Sequence, residues 1–140
     1  MDNPLSTQIG GGHYKGMGIE PFTFGMKNCY DPAAFSIMKY VSRHHLKGGR
    51  EDLLKARHII FIRVSEKPED LPAARSTIPV NTYIEANKLV IFEREASILR
   101  DLHHWATQGH PSGITDETIA NFLAQKIDLL IEETYPNEKD

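Results

Sequence analysis

Lys39-Tyr40-Val41-Ser42-Arg43-His44-His45-Leu46-Lys47-Gly48-Gly49-Arg50-Glu51-Asp52-Leu53-Leu54-Lys55-Ala56 decides the fold of this chain. It reads as one helix ending, a glycine turn, and a second helix beginning. The first helix should start at Asp31-Pro32, because Asp31 can cap and Pro32 suits the first helical position. It is expected to run to about Leu46, with Ala34, Ile37, Met38, Val41 and His45 on one stripe. Lys39 and Arg43, four apart, point away from that stripe. Lys47 then puts a cation near the negative helix end, and Gly48-Gly49 can adopt positive φ. The second helix is expected from about Arg50 to Val64. Leu53, Leu54, Ile59, Ile60, Phe61, Ile62 and Val64 leave it little polar surface, so it should be buried on several sides, within the domain or at a subunit contact. The density of β-branched residues over 59–64 leaves a strand open there. The short connection favours an antiparallel helical pair.

Outward from this hairpin the pattern stays helical. Residues 1–18 form a glycine-rich arm, and Pro21 opens a short helix to Asn28 on which Phe22 and Met26 share a face. Pro68, Pro72 and Pro79 mark a linker over 66–80. A single long helix is expected from about Asn81 to Ala106, with Tyr83, Ile84, Val90, Ile91, Ile98, Leu99, Leu102 and Trp105 as its apolar positions. After a turn over 109–113, Thr115 or Asp116 caps a last helix to about Thr134. The fold class is therefore all-α: a bundle of about four main helices with an N-terminal arm, oligomeric if the apolar second helix meets another subunit. All 140 residues are read as one domain, in which 12–65 is a basic hairpin module and 81–135 an acidic helical extension.

Charge divides the same way. Residues 30–65 carry seven Lys/Arg against three Asp/Glu, residues 66–140 seven against fourteen, and residues 1–29 balance, for a net charge of −3. A small basic module suits a compact polyanion, whereas overall acidity disfavours an extended nucleic-acid surface. Attraction between the two halves, or between subunits, is the alternative use of this asymmetry. No apolar run is long enough to span a membrane, and no secretory signal is visible. The single Cys29 cannot make an internal disulfide. A cytoplasmic location is expected, the host cytoplasm if the chain is phage-encoded.

His13-Tyr14, Ile19-Glu20, Lys39-Tyr40-Val41-Ser42-Arg43, Lys47 and Asp52-Leu53-Leu54-Lys55-Ala56 together resemble a small phage-encoded family. That family is usually described only as a domain of unknown function, and it includes a podophage nucleotide kinase for dTMP and dGMP that lacks a P-loop. The resemblance covers roughly residues 12–65. Phe35-Ser36 stands where the family often has Gly-Asn, and Arg43-His44-His45-Leu46-Lys47 replaces its usual Arg-Ala-Gly-Lys-Lys. The resemblance implies a nucleotide-binding enzyme, a deoxynucleoside monophosphate kinase using a nucleoside triphosphate as donor, with Mg²⁺ as a companion ion. Non-catalytic nucleotide sequestration, nucleotide hydrolysis and a purely interaction-based role are the rival expectations.

The residues supply chemistry for that reading. Lys39, Arg43 and Lys47 lie at i, i+4 and i+8, a cationic ridge that could hold phosphate oxygens, although a solvated basic face has the same spacing. Asp52 could hold Arg43 or Lys47, coordinate Mg²⁺ or orient a ribose hydroxyl; a capping role or an ion pair with Lys55 would be structural instead. Lys55 should reach a partner or extend to solvent. His13, Tyr14 and Lys15 could close over a ligand, with Tyr14 stacking on a base. Arg43, Asp52 and His13 are the candidate catalytic residues. Tyr14, Lys15, Lys39, Lys47, Gly48, Gly49 and Lys55 are the candidate substrate-binding ones. The histidines lack metal-site spacing, so no metal site is expected, and His45 and His58 are read as core or interface residues. There is no Gly-X-X-X-X-Gly-Lys-Ser/Thr motif, which excludes a standard P-loop kinase.

Overall fold

A computed structural model describes residues 18–89 and 92–138. The described residues form six α-helices and no strand: α1 Pro21–Lys27, α2 Pro32–Arg43, α3 Gly49–Glu66, α4 Val80–Ala86, α5 Glu93–Gln108 and α6 Asp116–Thr134. Four of them are long, as the sequence pattern implies. The α2–α3 hairpin packs most extensively, α6 lies on α3 and α5, and α2 also touches α5.

Local chemistry explains the helix starts. The Asp31 carboxylate accepts from the Ala34 amide at 2.9 Å, and Pro32 follows it. Thr115 accepts from the Thr118 amide at 3.2 Å and caps α6. Asp31 has a second task, since Arg63 of α3 donates to it through Nη2 at 3.1 Å. The Arg63 guanidinium sits 4.4 Å from the centre of the Trp105 ring, and the Trp105 indole N–H donates to Asp116 at 2.8 Å. Burial alone would push the Asp116 carboxyl up, but hydrogen bonds from Lys67 and Trp105 outweigh it and hold it below the usual range. A chain of charges and rings thus joins the starts of α2 and α6 to the middle of the bundle.

Three expectations change. The pattern over 81–106 is two helices, broken after Ala86, where Asn87 caps the end of α4 and Lys88 takes φ +59°. Asn87 is committed to Ile19, accepting from its amide at 3.1 Å and donating to its carbonyl at 3.0 Å. A contact this distant in sequence outweighs the continuing apolar period. Val90 and Ile91 lie outside the described residues. Second, α3 is only partly covered within the chain: Leu53, Ala56 and Ile60 are in the core and Leu54, Ile59 and Val64 pack against it, while Phe61 and Ile62 are 37% and 40% exposed. α2 and α6 cover the rest of the helix, and Arg57, beside Phe61, reaches Asp128 of α6 at 2.8 Å. Third, His45 and His58 are exposed rather than in the core of the chain, and His44 is buried instead: its backbone is still helical, its amide donates to the Tyr40 carbonyl at 3.1 Å, and it stands three positions after the buried Val41.

Candidate functional site

The cationic side chains of the hairpin gather on one tyrosine. Lys39 Nζ lies 4.7 Å, Arg43 Cζ 5.1 Å and Lys55 Nζ 5.7 Å from the centre of the Tyr40 ring. Tyr40 and Lys39 are consecutive on α2, Arg43 is a turn on, and Lys55 reaches across from α3, where it also pairs with Glu51 at 3.6 Å. The ring face is favourable for cations, but the cations repel each other. Burial first, then the charges of Arg43 and Lys55, depress the Lys39 pKa, and Asp52 opposes the shift. An anion placed among them would relieve that repulsion.

Asp52 lies beneath Arg43 and is 2% exposed. It accepts from Arg43 Nε at 3.1 Å and from Nη2 at 3.5 Å, so it fixes the guanidinium rather than pairing with Lys55. The two turn glycines serve different needs. Gly48 has an ordinary φ of −81°, but a Cβ there would come within 2.0 Å of the Asp52 carboxylate. Gly49 takes φ +59° and donates its amide to the His44 carbonyl at 2.8 Å. Lys47 does not extend a helical ridge as its spacing suggests: α2 has ended at Arg43, and Lys47 is exposed in the turn, with no ion pair among the described residues. His13, Tyr14 and Lys15 lie outside the described residues. The structure therefore brings together Lys39, Arg43, Asp52, Lys55 and Gly48, and leaves Lys47 apart from them.

Sequence reasoning missed a second feature. A cleft of roughly 720 Å³ opens between the end of α2, the start of α5 and the end of α6, and no predicted site residue lines it. Its floor holds His44 and Glu95, which are 2% and 4% exposed. His44 Nε2 meets Glu95 Oε2 at 3.1 Å, and Nδ1 meets the Tyr135 hydroxyl at 2.8 Å. Both ring nitrogens of His44 are therefore engaged, one by a carboxylate that can only accept when ionised and the other by a phenol that can donate or accept. Burial raises the Tyr135 pKa, and the charges of Glu138, Glu95 and Asp52 add to it. The two histidines in a row were the available signal, but spacing alone could not say which one turns inward.

A further buried histidine, His103, bonds the Tyr30 hydroxyl at 2.6 Å and the Ser76 hydroxyl at 2.7 Å, tying the linker to α5. Burial, with His104 nearby, holds its pKa below the ordinary value. Among the described residues no group of three or more His, Cys, Asp or Glu side chains could hold a metal ion, and no helix is long and apolar enough to cross a membrane.

Residues 9–60 match the model of a protein family of unknown function, DUF3310. The match spans α1, α2, the glycine turn and most of α3, and so takes in the whole cationic face. No curated protein and no solved structure matches the chain.

Proposed function

We propose that the Tyr40 face binds the phosphates of a nucleotide and that the protein is a nucleotide-binding enzyme of the P-loop-free deoxynucleoside monophosphate kinase kind. The observation that supports this reading is the convergence of Lys39, Arg43 and Lys55 on one ring above a buried Asp52. Arg43, held by Asp52, presents a pre-oriented guanidinium, which loses little freedom on meeting a phosphate. Lys39 and Lys55 add mobile charge where equatorial phosphoryl oxygens would gather electron density. Catalysis would rest on positioning and charge stabilisation rather than on a covalent intermediate. A nucleoside triphosphate would be the donor. Asp52 is engaged by Arg43, so Mg²⁺ would be held chiefly by the nucleotide's own phosphates and water. His13, Tyr14 and Lys15 would cover the ligand from the N-terminal arm. The exposed Phe61 and Ile62 on α3 favour a homo-oligomer. A nucleotide substrate would go with the cytoplasm, that of the host if the chain is phage-encoded.

Incubating the protein with dTMP or dGMP, a triphosphate and Mg²⁺ tests the proposal. The expected result is diphosphate formation that Arg43→Gln abolishes. Binding without product would leave a sequestering protein, and phosphate release without an acceptor would make it a hydrolase. Absence of any nucleotide binding would end the reading.

A further inference from the structure

We propose that the cleft between α2, α5 and α6 is a second ligand site, for a neutral planar nitrogen heterocycle bearing amino or ring N–H donors, the chemistry of a nucleoside without its phosphates. The inference does not rest on the phosphate face, because Lys39, Arg43 and Lys55 do not line this cleft.

Its wall is aromatic. His45 and Phe92 both line the cleft, with ring centres 5.0 Å apart and planes inclined by 31°. His45 is exposed and Phe92 half-buried, so a third ring can continue the stack. Burial first, then His44, lowers the His45 pKa, which keeps the ring neutral at neutral pH and suited to stacking.

Charge selects the ligand. The cations that line the cleft are already matched: Arg94 is gripped by both oxygens of Glu133, and Lys126 is held by Asp101 and Ser97. Of the carboxylates that line it, Glu133 is taken up by Arg94 and Glu95 by His44, so Glu93, exposed at the rim, tips the balance to negative. Such a lining repels phosphate and welcomes hydrogen-bond donors. The volume, roughly 720 Å³, falls within the range of small-molecule sites.

The floor is built and rigid. A buried carboxylate and imidazole cost more than apolar residues of the same shape would, unless their polar atoms are paired. Here Glu95 and His44 are fixed at both ends, with Tyr135 closing the chain of hydrogen bonds.

Calorimetric titration of the intact protein with adenosine, guanosine and the amino-less purine riboside tests this, with inorganic tripolyphosphate reporting separately on the phosphate face. The expected result is one nucleoside per chain, purine riboside binding more weakly than the other two, and Arg43→Gln without effect on either adenosine or guanosine. Phe92→Leu keeps the bulk but removes the π-face, and should weaken nucleoside binding roughly tenfold, the usual worth of stacking one base on an aromatic side chain. Glu93→Gln, at an exposed position, gives a second variant that leaves the core untouched. No nucleoside binding, binding indifferent to both Phe92→Leu and His45→Ala, equal affinity for purine riboside, or loss of nucleoside binding in Arg43→Gln would each overturn the assignment. Tripolyphosphate binding is independent of these outcomes, so failure here and failure of the phosphate reading are distinguishable.

Discussion

Arg43 and His44 are consecutive, yet they serve different halves of the molecule. Arg43 turns back to Asp52, nine positions away on the adjoining helix. His44 crosses to Glu95 and Tyr135, 51 and 91 positions away. The first pair belongs to the hairpin matched by the family model, and the second joins the hairpin to the acidic helices. Both pairs are largely buried, but one is closed by a local turn and the other by the packing of three helices. The contrast separates two kinds of legibility. Local pairs can be read from spacing, whereas long-range pairs appear only once helices have been placed.

The largest expected effect tests the local pair. Asp52→Ala leaves Arg43 without its counter-charge in a mostly buried position and should cost about 3 kcal/mol in urea unfolding. Gly48→Ala should also destabilise strongly, because its Cβ would displace the same carboxylate. On the Asp52→Ala background the Gly48 substitution should cost far less; full additivity would show that the clash is not what requires glycine there.

For the long-range pair, Tyr135→Phe removes one hydrogen bond to His44 and should cost roughly 1–2 kcal/mol by the same measurement. A loss as large as that of Asp52→Ala would erase the distinction between the two pairs. Thr115→Ala is a control within the acidic half. It deletes only a helix cap, for about 1 kcal/mol of stability, and should leave nucleotide and nucleoside binding alone.

His103 offers a graded test of how the linker joins the two halves. Its folded pKa lies below the ordinary histidine value, so the unfolded chain binds the proton more readily. The stability it contributes is complete above about pH 6.5, the unfolded pKa, and is lost as pH falls through the folded value. The melting temperature should therefore decline on acidification, and His103→Gln should flatten part of that slope. An unchanged slope would place the pH sensitivity elsewhere.

The smallest expected effect concerns the open side of α3. Phe61→Ser should alter monomer stability by no more than about 0.5 kcal/mol, because the side chain is already partly in solvent. Sedimentation velocity on the same variant reads the oligomeric state. A shift to a smaller species would make this side of α3 the subunit contact.

Much of the hairpin was legible. Asp31-Pro32 announced the start of α2, Gly48-Gly49 its turn, and the Arg43–Asp52 pair was among the options that spacing allowed. Thr115 marked α6. What misled was periodicity taken across a boundary. Apolar residues continue from Tyr83 to Trp105 in helical phase, although Asn87 and Lys88 break the helix. A narrower error put His45 in the core: from Val41 the buried stripe continues three positions on, at His44, and not four. Asn87 was a readable signal, since asparagine tolerates helix ends, but its partner Ile19 was not.

The chain by itself determined the all-α class, the capped starts of α2 and α6, and the cationic character of residues 39–55, because these follow from intrahelical spacing and side-chain chemistry close by in sequence. Only the tertiary structure decided which histidine is buried, where α4 ends and where the cleft opens. Those outcomes depend on contacts between residues far apart in the chain, whose free energies outweigh the local preferences of the segments that make them.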